Sequence, residues 1–258
     1  MDLKGKIVLI TGASSGIGAL TARAVAAKGA IPVFTGRSLQ KLEASVLGIA
    51  SEHAVYTMDV TNDDDVERVV ANVLERYGHI DILLNNAGFG QFERAVDMTV
   101  AQFAAMMDVN YMGIVRCTKA VLPHMLARRD GHIVNVASMA GKIGSPKSTG
   151  YSATKHAVLG FTNALRMELS GTGVAVSVVN PGPIDTPFFE LADPSGHYVN
   201  NVRWFMMPPE KVVRHLVRIM ETRRQEVDLP WLGAIGTRLY SLFPRLSNRV
   251  AAKFLNKK

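Results

Sequence analysis

Lys6-Ile7-Val8-Leu9-Ile10-Thr11-Gly12-Ala13-Ser14-Ser15-Gly16-Ile17-Gly18 is the stretch that decides how this chain is read. The apolar, β-branched run Lys6–Thr11 reads as a fully buried strand. From Gly16 to Lys28 the spacing turns helical, with Ile17, Leu20, Ala24 and Ala27 on one side, and Gly29 ends it. A strand that turns sharply, lets its backbone approach a pyrophosphate and opens a helix onto that anion needs glycines. They serve the turn, the approach and the close helix packing. A glycine cluster alone is weak evidence, because an ordinary strand-to-helix turn also contains glycine. Here it lies between a strand and a helix, as the motif demands. Gly12, Ser14, Ser15, Gly16, Ile17 and Gly18 are therefore candidate phosphate contacts.

The pattern repeats outward from this unit. Strands are expected at Ile31–Thr35, His53–Met58, Ile80–Leu84, His132–Ala137, Val174–Val179 and Glu226–Leu229. Helices are expected at Leu39–Leu47 (N-capped by Ser38), Asn62–Arg76, roughly 99–127, Tyr151–Leu169 and Lys211–Glu221. The strands are continuous apolar runs separated by helices, which implies a parallel sheet of about seven strands covered on both faces. The fold class is α/β, doubly wound and Rossmann-like. No Pro/Gly/Ser linker divides the chain, so residues 1–230 read as one dinucleotide-binding and catalytic domain and 231–258 as an extension.

Composition agrees with a globular body. The chain has 258 residues, 48% of them apolar and 20% charged. Its mean hydropathy of +0.12 excludes a disordered chain. The single cysteine, Cys117, excludes a disulfide framework and a cysteine-based zinc site. The opening residues Met1–Lys6 lead into too short an apolar run for a signal peptide, and a cytoplasmic setting is expected. The 29 Lys and Arg exceed the 22 Asp and Glu by seven. Six of the basic residues (Arg238, Arg245, Arg249, Lys253, Lys257 and Lys258) lie in 231–258, which contains no acid. The preceding 230 residues are left with a net charge of one, so no nucleic-acid-binding face is expected there.

The second strand ends Phe34-Thr35-Gly36-Arg37. A site for a dinucleotide with a free ribose 2′-OH places an acid here; Gly36 removes that acid and Arg37 offers a planar fork to a 2′-phosphate. NADP(H) is expected over NAD(H). Lys41, one turn on, either adds charge or is a solvated helix residue. In Tyr151-Ser152-Ala153-Thr154-Lys155 the i, i+4 spacing puts phenol and ammonium on one helix face. A neighbouring ammonium favours phenolate and draws the tyrosine toward working range. Ser138 follows the fifth strand at the sheet edge where ligands bind, and its hydroxyl can orient a carbonyl or alcohol oxygen.

These residues, with Asp59-Val60, Asn85-Asn86-Ala87-Gly88, Asn110, and Pro181-Gly182 followed by Thr186, resemble a short-chain dehydrogenase/reductase over about residues 4–229. The resemblance implies interconversion of a carbonyl and an alcohol with a nicotinamide cofactor. It implies that Tyr151 is the acid/base, that Ser138 holds the substrate oxygen, and that Lys155 binds the nicotinamide ribose and tunes Tyr151. Asn110 would hold a water in a proton relay. Asp59 would contact adenine, Asn86 the adenosine side and Thr186 the carboxamide; Pro183-Ile184 borders the nicotinamide, and Val60, Ala87, Gly88, Pro181 and Gly182 are further candidate cofactor contacts. Asn85 is read as a sheet brace outside the site. Ser14 and Ser15 depart from the basic residue that many NADP-type members carry. A homodimer through the helices at 99–127 and 151–169 is expected by the same analogy, with the extension blocking a tetramer.

Two segments remain. Phe188, Phe189, Trp204, Phe205, Met206 and Met207 lie where the family folds over its substrate. They either line a site for a lipophilic ketone or alcohol or pack on the body or on another subunit. In the extension, Leu242, Leu246, Val250 and Phe254 recur every fourth residue beside Arg245, Arg249, Lys253 and Lys257, as in a basic amphipathic helix starting at Pro244. Such a helix either lies in an anionic membrane interface or packs on its own domain or a partner subunit.

Overall fold

Ile7–Ile10 is buried on every side chain, as a strand in the middle of a helix-covered sheet must be. A computed structural model describes residues 2–242 of the chain. The strands are β1 (Ile7–Ile10), β2 (Ile31–Gly36), β3 (Ala54–Thr57), β4 (Ile82–Asn85), β5 (Gly131–Val136), β6 (Val174–Pro181) and β7 (Glu226–Leu229). Among the described residues they form one parallel seven-stranded sheet in the order β3-β2-β1-β4-β5-β6-β7. This is the α/β Rossmann-like architecture expected from the alternation.

The helices are α1 (Gly16–Ala26), α2 (Leu39–Val46), α3 (Asp63–Tyr77), α4 (Val100–Met107), α5 (Gly113–Arg128), α6 (Thr149–Glu168), α7 (Phe188–Ala192), α8 (His197–Val202), α9 (Pro209–Thr222) and α10 (Trp231–Leu242). Strand alternation sorts the core into two layers. Val8, Ile10 and Phe34 pack with Ala22 and Val25 of α1, Leu42 of α2 and Leu216 of α9. Ile7, Leu9 and Val33 pack with Val70 of α3, Val121 of α5 and Leu165 of α6. The chain changes faces after β3 and returns beside β1, so the crevice of the sheet opens at the C-terminal ends of β1 and β4.

Three differences from the sequence reading matter for the site. The helical pattern at 99–127 is two helices, parted by a π turn at Asp108–Met112. One inserted residue shifts helical phase by about 100° without disturbing the apolar pattern on either side, so periodicity does not reveal it. The insertion carries Asn110, which is wholly buried. Next, α6 begins at Thr149, two residues before Tyr151, and the Ser148 hydroxyl hydrogen-bonds with the hydroxyls of Ser145 and Ser152 at its entry. Finally, the segment between β6 and α9 is helical in α7 and α8, and the stretch from Trp231 is the helix α10. The basic amphipathic helix expected from Pro244 lies outside the described residues. Among the described residues no helix is long and apolar enough to cross a membrane.

Candidate active site

The glycine loop is held from behind by β4. Thr11 Oγ1 accepts hydrogen bonds from the backbone N–H groups of Asn86 (2.9 Å) and Ala87 (3.0 Å). The Asn86 amide donates to the carbonyls of Thr11 (2.9 Å) and Gly12 (3.1 Å). Gly12 has φ +67°, and a Cβ there would stand 2.8 Å from Ala87 Cα; a Cβ on Gly18 would collide with the Gly12 carbonyl. Asn86, read from sequence as an adenosine-side contact, thus uses its side chain to shape the loop. The N-terminus of α1 is open to an anion: Ser15 caps it in extended conformation without a side-chain bond, and its first turn has no acid. Gly16 faces Thr186, whose Cβ lies 3.9 Å from the place of a glycine Cβ. Ile17 packs on the core, while Ser14 Oγ lies 3.4 Å from where a Cβ on Gly36 would be. Arg37 is exposed just beyond and makes no hydrogen bond or ion pair among the described residues. The Asp59 carboxylate is engaged locally, accepting from Thr61 N–H (2.9 Å) and hydroxyl (2.8 Å). Val60 packs against Gly113 at the start of α5.

The second group of residues meets across β5 and α6. Ser138 leaves the end of β5, accepts from Ala140 N–H (3.1 Å) and lies 3.2 Å from the Pro181 carbonyl, to which its hydroxyl can donate. The Tyr151 hydroxyl is close enough to Ser138 for that side chain to favour its phenolate. Lys155, only 4% exposed, donates to the Val136 carbonyl (2.9 Å), and its Nζ lies 5.7 Å from the centre of the Tyr151 ring. Burial without a carboxylate partner brings its ammonium down to about 8. Gly88 lies between this ammonium and Asn110; a Cβ there would be 3.7 Å from Nζ and 3.0 Å from Asn110 Oδ1. Asn110 accepts from Phe89 N–H (2.9 Å) and donates to the Phe89 carbonyl (2.8 Å) and Thr154 Oγ1 (3.1 Å). Gly182 N–H bonds the Leu229 carbonyl (2.7 Å) and Ile184 bridges to Met207, which fixes the strand exit beside Ser138.

The model for short chain dehydrogenases matches residues 6–195. The chain belongs to the short-chain dehydrogenase/reductase family. It is 39% identical over 193 residues to a 3-oxoacyl-[acyl-carrier-protein] reductase of Thermotoga maritima, covering 74% of this chain and 78% of the relative. A short-chain dehydrogenase/reductase of Burkholderia phymatum, solved with NAD, superimposes with a TM-score of 0.87 at 26% identity, covering 95% of this chain and 96% of that one. A variant of actinorhodin polyketide ketoreductase, solved with NADPH, has a TM-score of 0.79 at 30% identity, covering 87% and 95%. As a member of the family this chain is an oxidoreductase acting on CH–OH with NAD(P).

The chain's own geometry fits the dinucleotide of short-chain dehydrogenase/reductases. The end of α1, where the Ser15 cap makes no side-chain bond, and the bare glycines suit a pyrophosphate, and the buried Lys155 cation keeps donors beyond its one bond to Val136 for ribose hydroxyls.

Several residues around the site escaped the sequence reading. Phe92 packs edge-on against Tyr151 at 5.8 Å and tilted against Tyr198 at 4.5 Å, and Phe188, which the sequence already places over the substrate, lies 5.6 Å from Tyr151. This aromatic wall raises the Tyr151 phenol above its ordinary value by burial; the Ser138 hydrogen bond acts in the opposite direction, and the nearby Tyr198 adds to burial. From Lys155 alone the phenol is expected to be drawn down; in this structure burial raises it. Thr154 sits inside the Tyr151–Lys155 motif, yet only the fold shows that it ties Asn110 to the Tyr151 carbonyl (2.8 Å). Asn85 braces the sheet: its amide donates to Asn135 (2.9 Å) and Thr118 (3.3 Å).

Proposed function

We propose that this short-chain dehydrogenase/reductase is an NADP(H)-dependent reductase of a lipophilic ketone, with Ser138, Tyr151, Lys155 and Asn110 as its reacting group. The observation that carries this reading is the setting of Tyr151, whose phenol lies near Ser138 beneath a wall of Phe92 and Phe188. A substrate reaching that hydroxyl must lay its carbon skeleton against aromatic faces, and Phe189 and Tyr198 extend them.

In this reading the bound nicotinamide supplies the hydride to the carbonyl carbon, or accepts it in the reverse direction. Ser138 Oγ holds the substrate oxygen. Tyr151 donates its proton to that oxygen as negative charge develops there. The Lys155 ammonium favours the phenolate left behind, which offsets the burial that otherwise disfavours it. Asn110, with side-chain hydrogen bonds to Phe89 and Thr154, holds the water that continues the proton path. Toward the cofactor, Gly12, Ser14, Ser15, Gly16, Ile17 and Gly18 take the pyrophosphate, and Asp59, Val60, Asn86, Ala87 and Gly88 the adenosine side. Pro181, Gly182, Ile184 and Thr186 border the nicotinamide, and Lys155 takes its ribose.

The preference for NADP(H) is supported by what surrounds the end of β2. Gly36 offers no carboxylate, Ser14 Oγ lies over it, and Arg37 has no partner among the described residues. NAD-linked alcohol oxidation is the second reading, and the NAD-bound relative with the higher TM-score favours it. A panel of carbonyl compounds followed by NADPH absorbance, with NADH in parallel, tests both. Turnover with NADPH and a bulky apolar ketone supports the proposal. Turnover only with NADH supports the second reading, and cofactor binding without turnover of any carbonyl or alcohol leaves a regulatory binding protein. By family analogy the protein is a homodimer joined through the helices at 99–127 and 151–169, here α4, α5 and α6, which sedimentation checks.

A further inference from the structure

Trp231, Ile235 and Leu242 leave one side of α10 largely exposed among the described residues. At about 100° per residue, Gly233, Thr237 and Tyr240 fall on one side of this helix and Trp231, Ile235 and Leu242 on the other. Gly233 packs against Met139, the residue after Ser138, and Thr237 is buried. Trp231 is 68% exposed, Ile235 47% and Leu242 70%. Three large apolar side chains therefore share an arc of about 40° in water, on a helix that starts at the C-terminal edge of the sheet. The segment that leaves the same edge after β6 exposes two more, Leu191 at 65% and Trp204 at 84%.

Charge says what covers this face. From Trp231 to the last residue the chain carries six basic residues and no acid, while the preceding 230 residues are almost balanced. A second copy docked symmetrically here would set two strongly basic segments against each other. A partner that accepts exposed tryptophan and clustered Lys and Arg together is an anionic lipid surface. Its headgroup region suits the amphipathic indole, and its negative potential attracts each cation.

We propose that the exposed stripe of α10 and the basic residues after it dock this enzyme reversibly on anionic bilayers, with the sheet edge that carries Ser138 and Tyr151 turned toward the lipid. The docking is independent of the reaction and of the cofactor preference.

Co-sedimentation of the whole chain with phosphatidylcholine vesicles, and with vesicles containing about 30% phosphatidylserine, tests it at low and high salt. Two variants accompany the whole chain: Trp231→Ser/Ile235→Ser/Leu242→Ser, and Arg245→Gln/Arg249→Gln/Lys253→Gln. The whole chain is expected to sediment with the anionic vesicles alone and to be released by salt. Each variant is expected to lose about tenfold or more in vesicle affinity while its melting temperature and its NADPH binding stay unchanged. Equal behaviour on neutral and anionic vesicles overturns the proposal. So does a stripe variant that binds vesicles as the whole chain does. A stripe variant that halves the sedimenting mass without vesicles also overturns it, because the face is then an interface between copies.

Discussion

Phe188 lies against Tyr151 with ring centroids 5.6 Å apart and planes inclined by 58°, and Gly90 is what lets it come so close. A Cβ on Gly90 would stand 2.9 Å from Phe188 Cζ and 3.3 Å from Tyr151 Cδ2. The contact joins α7 to α6 directly over the group proposed to donate the proton. It removes water from the phenol, and removing water holds the phenol in its protonated form. For a group that must give a proton to a developing alkoxide this is useful in one direction only. Ser138 at the hydroxyl supplies the opposing pull, and Lys155 Nζ lies 5.7 Å from the ring centre.

Replacing Phe188 by Ala is therefore expected to lower the Tyr151 pKa. Reduction requires the protonated phenol, so the alkaline limb of its kcat profile should move to lower pH. Stability should fall by less than about 3 kcal/mol, because the ring is only half-buried. A pH–rate profile that does not move would show that Phe188 has no hold on the phenol.

Tyr151→Phe keeps every ring contact and removes the hydroxyl alone. Turnover should drop by roughly 10²–10⁴-fold, the usual worth of a positioned general acid. NADPH affinity and melting temperature should stay close to those of the unaltered protein. Turnover within a factor of a few would exclude Tyr151 as the proton donor.

Lys155 links stability to pH. Its ammonium titrates near 8 in the folded chain and near 10.5 when unfolded. Below pH 8 both states are protonated and the fold carries a buried cation. Between 8 and 10.5 the unfolded chain binds more protons, so this group's contribution to stability rises with pH. In the chain free of nucleotide, Lys155→Met should be the more stable form below pH 8, by up to about 3 kcal/mol less the lost Val136 hydrogen bond. The gap should close toward pH 10.5. Denaturant unfolding at a series of pH values measures it, and a gap independent of pH would contradict the burial argument.

Arg37→Asp sets a carboxylate beside Gly36. NADPH affinity should fall tenfold or more, since a charge-assisted hydrogen bond of about 1.5–3 kcal/mol is lost and repulsion is added. NADH affinity should rise or hold, because the new carboxylate accepts from a free 2′-OH. Fluorescence titration of both nucleotides reads the change. Unaltered NADPH affinity would remove Arg37 from the site.

Much of the architecture was legible along the chain because it is built from local signals. Continuous apolar runs alternate with helical ones, and that pattern permits little besides a parallel sheet wrapped on both sides. Gly12, Gly16 and Gly18 stand at the one junction where the backbone must turn, approach an anion and start a helix. Tyr151 and Lys155 share a helix face by arithmetic alone. Contacts between distant segments leave no such trace. Periodicity carries the helix straight through Asn110, because the one residue inserted by the π turn leaves the apolar pattern on each side intact; only the fold shows the amide turned inward to Phe89 and Thr154. The sequence placed Asn86 beside the cofactor, whereas packing turns its side chain onto the Gly12 carbonyl. Lys155 was expected to draw the Tyr151 phenol down. The rings of Phe92 and Phe188, 59 residues before it and 37 after it, surround it and push it up. Sequence determines which groups are present and how neighbours along the chain face. Which groups lose their water depends on what distant segments pack over them, and desolvation is what tunes the proposed proton donor.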